Sequence, residues 1–248
     1  MNARPDKRAD NAARPLTITP HFLRNPDGSA LVTLGETKVL CAATLEERSP
    51  AWLMGSGKGW ITAEYSLLPP STPTRVKREA ATGKVAGRTH EIQRLIGRSL
   101  RAAVDLTRLK EHTITLDCDV IQADGGTRTA AITGSFVALA LALRKLEPLG
   151  MVERGCLINQ VVAISCGIVD NRPLLDLTYE EDSQAMVDMN FVMTADGRFV
   201  EMQGTGEGAP FDRDQAGRLT ELAFSAIPEL VRVQREALGF DPLSTSGD

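Results

Sequence analysis

Apolar and polar residues alternate along several short segments of the chain, which is the pattern of β-strands with one buried face. In the first half, this alternation predicts strands over 29–34, 37–44, 60–67 and 112–122. In the second half, it predicts strands over 159–169, 173–177, 186–193 and 198–203. Gly35 and Glu36 separate the first two strands at the spacing of a hairpin turn.

Apolar residues recur at helical spacing in three other segments. The first is 88–106, where arginines occupy the other faces, and the second is the apolar segment 130–146. The third begins after Asp212, a residue type that caps helices, and runs to residue 238 with a kink expected at Pro228. Strands followed by a helix in two comparable halves predict an α+β protein of two βαβ-like lobes.

The composition is that of a soluble globular protein, with 42% hydrophobic and 24% charged residues among 248. We expect a single domain over 1–248, with a core over about 14–240 and loose termini. Neither a run of about 18 apolar residues nor an apolar signal region is present, so we expect a cytoplasmic protein without a membrane partner. The four cysteines are widely spaced, which favours reduced, mostly buried thiols over a zinc site or disulfides.

Charge is unevenly distributed along the chain. Residues 72–110 contain ten basic and three acidic residues, a net charge of +7, which leaves −11 for the rest of a chain whose total is −4. Because screening limits attraction to charges within about 10 Å, a basic segment on an acidic protein can still bind a polyanion. The alternative is a solvated helical face, and charge alone does not decide between the two.

The segment 124–129, Asp-Gly-Gly-Thr-Arg-Thr, has the composition of an anion-binding turn. Two glycines allow a ligand to approach the backbone, and the helix that follows offers free N–H groups. The hydroxyl of Thr127 and the guanidinium of Arg128 would complete the site at the positive end of the helix dipole. The alternative is a tight turn between a strand and a helix, with Arg128 exposed.

A cluster of acidic residues, Glu180, Glu181 and Asp182, is followed by Asp188. Carboxylates in such a group can hold Mg²⁺ or move a proton. If the segment is all strand, the spacing of six places Asp182 and Asp188 on the same face. The alternative is an acidic turn exposed to solvent.

Two other chemistries lack the residues that they need. The loop 55–59 has Gly-Lys, but Trp52 and Gly59 stand where a P-loop requires glycine and Ser or Thr. The three histidines are scattered, and the chain has no Gly-x-Ser-x-Gly motif. These absences argue against nucleoside triphosphate hydrolysis, a histidine metal cluster and nucleophilic catalysis by serine.

A basic segment, an anion-binding turn and a carboxylate pair together fit the cleavage or formation of a phosphodiester. Arginines neutralise the backbone of RNA, the turn holds a phosphate, and the carboxylates place a metal or move a proton. The chain has few aromatic residues, 4% of the total, which argues against extensive base stacking. We therefore expect recognition of the nucleic acid mainly through its backbone and shape.

Four long segments carry a resemblance to a known family. The residues 55–68, 87–100, 115–133 and 175–190 resemble the ribonuclease PH family. The resemblance implies a two-lobed fold of the ribosomal protein S5 domain 2-like type and a homohexamer built as a trimer of dimers. It also implies a phosphate-dependent 3′→5′ exoribonuclease, or tRNA nucleotidyltransferase, that trims tRNA precursors and other RNA 3′ ends, with a role in rRNA processing or degradation.

In such an enzyme, inorganic phosphate attacks the terminal phosphodiester, a nucleoside 5′-diphosphate leaves, and the reverse reaction adds nucleotides. The resemblance assigns roles to eight residues of this chain. Phosphate binding falls to Arg88, Gly126, Thr127 and Arg128; catalysis and a divalent ion, expected to be Mg²⁺, to Asp182 and Asp188; and RNA binding to Arg75 and Arg78.

Two departures from the family pattern stand out. Lys7 replaces a glycine in the opening Arg-Pro-Asp-Gly-Arg motif, and Pro70 replaces an arginine that contacts tRNA. Two other functions stay open beside the phosphorolytic one. A non-catalytic RNA-binding subunit would be expected to lack the phosphate-binding arginines or the acidic pair, whereas a hydrolytic nuclease would act without added phosphate.

Overall fold

The protein is described by a computed structural model for residues 4–244, apart from the side chains of residues 80 and 82. Strands and helices occur in two sets, as the α+β prediction expects. The first half contains β1 (Leu16–Pro20), β2 (Gly28–Leu34), β3 (Thr37–Glu46), β4 (Trp60–Leu67), α1 (Glu79–Thr82), α2 (Gly87–Arg101), β5 (Thr113–Gln122) and α3 (Thr127–Leu146). The second half contains β6 (Val161–Val169), β7 (Arg172–Leu175), α4 (Tyr179–Asp182), β8 (Val187–Thr194), β9 (Phe199–Gly206) and α5 (Arg213–Leu238).

The first sheet has the strand order β1-β2-β3-β5-β4. Its strands pair in an antiparallel manner except β4 and β5, which are parallel and are connected through α2. This βαβ crossover brings the N-terminus of α2 to the edge of the sheet where β4 ends. The predicted helix 88–106 is therefore confirmed, but it ends at Arg101, five residues earlier than the periodicity indicates.

The second sheet has the strand order β7-β6-β8-β9 and is antiparallel throughout. Helix α5 covers one face and buries Leu219, Ala223 and Ile227 against the sheet. Asp212 caps this helix by accepting a hydrogen bond from the N–H of Gln215, as the sequence predicts. The helix continues through Pro228 to Leu238.

Helix α3 packs against both sheets and joins the two lobes. Its side chains share one hydrophobic core with the first sheet and with Val161, Ala163 and Val192 of the second. A side chain at Gly134 would lie 2.1 Å from Val32, so a residue without Cβ is needed where α3 crosses the first sheet. By length and composition α3 could cross a membrane, but most of it is buried inside the protein.

Residues 4–14, which we expect to be loose from the sequence, are joined to the second lobe through two buried arginines, although about half of the segment is exposed. The Arg4 side chain is fully buried and donates to both carboxylate oxygens of Glu181, at 2.7 and 2.8 Å. Arg14 is also buried and pairs with Asp176 at 2.7 Å. Residues 1–3 and 245–248 lie outside the described residues, so the expectation is not tested there.

Other details of the fold differ from the sequence pattern in ways that follow from element length. Strand β1 and helix α4 were not predicted, because five and four residues are too few to establish a period. A capping box, in which Thr178 and Glu181 bond each other's backbone, begins α4 and is visible as Thr-x-x-Glu in the sequence. All four cysteines are free and buried, as expected.

Candidate functional site

A cavity of about 520 Å³ lies where the ends of β4 and β8 meet the N-termini of α2 and α3. A second cavity, of about 390 Å³, adjoins it. Both are lined by Arg88, Arg128, Asp182, Asp188 and Asn190. The fold thus brings together four residues that the sequence singled out, although 100 positions separate Arg88 from Asp188.

The N-terminus of α3 forms one wall of the cavity. Gly125 and Gly126 both have positive φ angles, 71° and 64°, and Gly126 caps the helix without any side-chain hydrogen bond to the first turn. The N–H groups of that turn are therefore available to a ligand, at the positive end of a 20-residue helix dipole. This geometry is that of an anion site, and it supports the binding function over the tight turn alone.

The glycine turn is held in place from two directions. The hydroxyl of Thr37 donates to the carbonyl of Gly125 at 2.7 Å and accepts from the N–H of Asp124 at 2.9 Å. Arg14 donates to the carbonyl of Leu177 at 3.1 Å and to the carbonyl of Asp124. Arg14 therefore connects the turn to the segment that leads into α4.

Thr127, the first residue of α3, is bonded to Tyr65. The two hydroxyl oxygens are 2.8 Å apart, and either group can be the donor. Burial raises the pKa of Tyr65, so its phenol stays neutral and fixes the Thr127 side chain at the cavity wall. Tyr65 lies in the segment 55–68 that resembles the family, but its role could not be predicted from the sequence because the contact with Thr127 spans 62 positions.

Helix α2 also begins at the cavity. Ala86 precedes its first residue and provides no side-chain cap, and Arg88 follows in the first turn with an exposed side chain. Arg128 approaches from α3, where its guanidinium donates to the side-chain oxygen of Gln203 at 3.2 Å. Two arginines and two uncapped helix N-termini therefore surround the same space.

Asp182 and Asp188 face this space from the second lobe, but not from one strand. Asp182 is the last residue of α4 and Asp188 lies in β8, so the segment is not all strand and the condition for a shared strand face is not met. Both side chains nevertheless line the cavity. Burial raises the pKa of Asp182, although the positive charges of Arg128 and Arg88 act to lower it. Burial and the negative charge of Asp182 raise the pKa of Asp188 to about 6.

The neighbours of this pair have different roles. Glu181 is buried and paired with Arg4, so it acts in the structure and is not a free carboxylate. Asn190 donates to the carboxylate of Asp188 at 3.4 Å and lines both cavities. Glu180 is exposed at the surface of α4 and lines neither of the two cavities. The acidic run of the sequence thus separates into one cavity residue, one structural residue and one surface residue.

Residues 4–244 contain no group of three or more His, Cys, Asp or Glu side chains placed to hold a metal ion. The pair Asp182 and Asp188 nevertheless fits Mg²⁺, since this ion binds one or two carboxylates and completes its shell with water and substrate phosphate. Asp182 and Asp188 line the same cavity, and the charge of the first acts on the second, so they offer such a donor set.

The basic segment 72–110 divides into two groups. Arg75 and Arg78 are exposed on the segment between β4 and α1, and Arg78 lines the larger cavity. Arg98 instead pairs with Glu201, at 2.6 Å for one of its two bonds. Arg101 lies over the ring of Trp60, 4.3 Å from its centroid. The net charge of +7 is therefore not presented on one surface.

The glycine loop 55–59 connects β3 to β4 and lines neither cavity, in agreement with the rejection of a P-loop. His112 bonds the carbonyl of Leu109 at 3.2 Å and precedes β5, which is a structural position. Lys7, which replaces the family glycine, has a φ of 63° in the left-handed region where glycine is favoured. This conformation explains why glycine is usual at that position.

Comparison with known proteins identifies the class to which this fold and site belong. Residues 12–145 match the model of the 3′ exoribonuclease family, domain 1, and residues 159–226 match domain 2 of the same family. The chain therefore belongs to the 3′ exoribonuclease family.

Within this family, the chain is similar to curated ribonuclease PH proteins. It is 56% identical to ribonuclease PH of Syntrophomonas wolfei over 95% of this chain and 99% of that protein. It is 55% identical to the Corynebacterium kroppenstedtii protein, over 95% and 92%, and 54% identical to a Neisseria gonorrhoeae protein, over 93% and 96%. The resemblance seen in the four sequence segments is confirmed.

Solved structures agree with this assignment. An Archaeoglobus fulgidus exosome with RNA bound to the active site gives a TM-score of 0.77 at 25% identity, over 93% of this chain and 92% of that one. An archaeal exosome core gives a TM-score of 0.72 at 23% identity, over 95% and 91%, which shows the shared fold.

Proposed function

We propose that this protein is a phosphorolytic 3′→5′ exoribonuclease. Inorganic phosphate attacks the last phosphodiester of an RNA, the terminal nucleotide leaves as a nucleoside 5′-diphosphate, and the reverse reaction adds a nucleotide. The observation that carries the proposal is that Arg88 and Arg128, two uncapped helix N-termini and the pair Asp182 and Asp188 share one cavity. The high identity to ribonuclease PH supports the same reaction.

Arg88 and Arg128 bind the attacking phosphate from two sides, and the backbone at Gly126 and Thr127 binds it from below. Charge-assisted hydrogen bonds of this type contribute about 1.5–3 kcal/mol each. The N–H groups are already oriented by the helix, so no reorganisation is needed when the phosphate arrives. The hydrogen bond between the hydroxyls of Thr127 and Tyr65 limits the rotation of the Thr127 side chain.

The reaction conserves its protons. The attack of HPO₄²⁻ forms a P–O bond to the terminal phosphorus, the bond to the 3′ oxygen breaks, and the proton of the attacking phosphate ends on that oxygen. Asp188, with its pKa raised to about 6, can accept and return a proton near neutral pH and so relay it. In the alternative in which Asp182 and Asp188 both hold Mg²⁺, the ion would neutralise charge on the leaving oxygen and Asp188 would not relay the proton.

Arg75 and Arg78 contact the RNA backbone before it enters the cavity. Their exposure, and the position of Arg78 at the cavity wall, support this role. We propose tRNA precursors as substrates and a homohexamer, a trimer of dimers, as the active assembly in the cytoplasm. Light scattering on the purified protein tests the assembly, since six copies of a 26.8 kDa chain are expected.

The decisive experiment is the release of nucleotides from a tRNA with a short 3′ extension, with and without inorganic phosphate and Mg²⁺. Nucleoside diphosphates that form only with phosphate are the expected product. Monophosphates formed without phosphate would identify a hydrolase instead. Tight RNA binding without any product would identify a non-catalytic subunit, and either outcome would overturn the proposal.

A further inference from the structure

The two tyrosines of the chain both line the larger cavity, which is unexpected for a residue type present only twice among 248 positions. Tyr65 is buried and bonded to Thr127, so its position is explained by packing and by that contact. Tyr179 is 59% exposed. Exposure alone does not distinguish Tyr179 from other surface residues, but its ring also lines the cavity that holds the candidate site, where it is free to contact a ligand.

The backbone of Tyr179 is held firmly although its ring is exposed. Its N–H donates to the side chain of Asp124 at 3.1 Å, which connects it to the glycine turn. The capping box of Thr178 and Glu181 fixes the turn on which it lies, and Arg4 fixes Glu181. The ring therefore stands on a rigid support, which reduces the entropy that a ligand must overcome to stack on it.

Tyr179 lies three residues before Asp182 on the single turn of α4. Residues at this spacing lie on the same side of a helical turn. Tyr179 and Asp182 both line the larger cavity, and the bond from Tyr179 to Asp124 places Tyr179 beside the glycine turn that precedes α3. A nucleotide whose phosphate is bound at that turn would have its base within reach of the Tyr179 ring.

We infer that Tyr179 stacks on the base of the 3′-terminal nucleotide, the one that leaves as a diphosphate. This inference rests on the proposed function and adds a residue that binds the terminal base to it. Stacking accepts every base, because each has a π face, so it suits an enzyme that removes one nucleotide after another. It adds one base contact to a recognition that we expect to be mainly of backbone and shape.

The test compares two RNAs that differ only in their last residue, one with a normal 3′-terminal nucleotide and one with a 3′-terminal ribose that lacks the base. The enzymes are the wild type, Tyr179→Ala, Tyr179→Phe and the control Phe22→Ala, which removes an exposed aromatic ring outside the cavity. Initial rates give the KM for RNA and for phosphate, and circular dichroism confirms that each variant is folded.

For the normal RNA, we expect Tyr179→Ala to raise the KM at least about fivefold, the lower end of what a lost base stack costs. Tyr179→Phe and Phe22→Ala should change it less than about twofold, because the first keeps a stacking ring and the second is remote. For the RNA without the terminal base, wild type and Tyr179→Ala should have the same KM. The KM for phosphate should not change in any variant.

An equal loss on both RNAs would overturn the inference, because the ring would then support the site and not the base. An unchanged KM on the normal RNA would overturn it as well. Failure of the proposed function is recognised separately, since the wild type would then release no nucleoside diphosphate. Equilibrium binding of the two RNAs, measured by fluorescence anisotropy, tests the stacking contact without turnover.

Discussion

Asp182 and Asp188 face one cavity although the first ends a helix and the second lies in a strand, and the charge of Asp182 acts on Asp188. Burial first and this charge second raise the pKa of Asp188 to about 6, from an ordinary value near 4. The folded chain thus holds this proton more tightly than the unfolded chain. The stabilisation is complete below pH 4 or so and is lost as the pH rises through about 6.

Replacement of Asp188 by Asn removes the ionisable group, and with it the loss of stability that the wild type shows as the pH rises through about 6. We expect the free energy of unfolding at pH 7.5 to increase by about 1–3 kcal/mol, and that at pH 4 to stay within about 0.5 kcal/mol of the wild type. Urea denaturation at both pH values, in the presence of a chelator, measures the difference. The exposed residue Glu47 provides the control, since Glu47→Gln should change stability equally at the two pH values. A gain of the same size at pH 4 would contradict the assignment.

Replacement of Arg128 by Ala should weaken phosphate binding. The loss of a charge-assisted contact worth about 1.5–3 kcal/mol corresponds to a rise of roughly 10- to 150-fold in the KM for phosphate. The KM for RNA should change much less. Steady-state kinetics at varied phosphate concentration measures both, and Arg24→Ala, an exposed arginine outside the cavities, is the matched control. An unchanged KM for phosphate would remove Arg128 from the phosphate site.

The ion pair of Arg4 and Glu181 is buried, so its disruption should be costly. Arg4→Ala leaves the buried carboxylate of Glu181 with only Arg8, 3.7 Å away, as a cationic partner, and we expect a loss of about 3–5 kcal/mol in the free energy of unfolding. Lys145→Ala, at a partly exposed pair with Asp27, should cost only about 0–1 kcal/mol. Chemical denaturation monitored by circular dichroism compares them. Equal, small losses would mean that residues 4–14 do not stabilise the fold.

The two lobes should unfold together, as a single domain over 1–248 would. Helix α3 packs against both sheets, so neither lobe retains its core without it. Trp52 and Trp60 pack edge to face at 4.8 Å and report on the first lobe only, whereas far-ultraviolet circular dichroism reports on the whole chain. We expect the two urea transitions to coincide. A tryptophan transition that precedes or follows the other would divide the chain into two domains.

The sequence predicts the longer elements well because each repeats its period several times. Helix α3 and strand β5 each begin within three residues of the predicted position. Helix α4 was missed since one turn has no period, although its capping box can be read from Thr178 and Glu181. As a consequence, the sequence did not show that Asp182 ends a helical turn while Asp188 lies in a strand.

The candidate site was predictable where its residues form a motif and not where they meet across the fold. The glycine turn before Arg128 and the acidic run were recognised, because neighbouring residues carry the signal. Tyr65 and Asn190 were not, although both lie in segments that resemble the family, since each reaches the cavity through contacts between distant parts of the chain. The pairing of Arg98 within the basic segment could not be predicted from the sequence either, because its partner Glu201 is 103 positions away.

The position of Arg14 has a consequence for the order in which the protein is made. This side chain connects the glycine turn at Asp124 with Asp176, and the second partner is synthesised 162 residues after it. Since a chain grows from its N-terminus at about 5–20 residues per second, Asp176 is synthesised on the order of ten seconds after Arg14. The glycine turn is therefore synthesised before Arg14 can join it to Asp176. The enzyme gains its active geometry only late in translation.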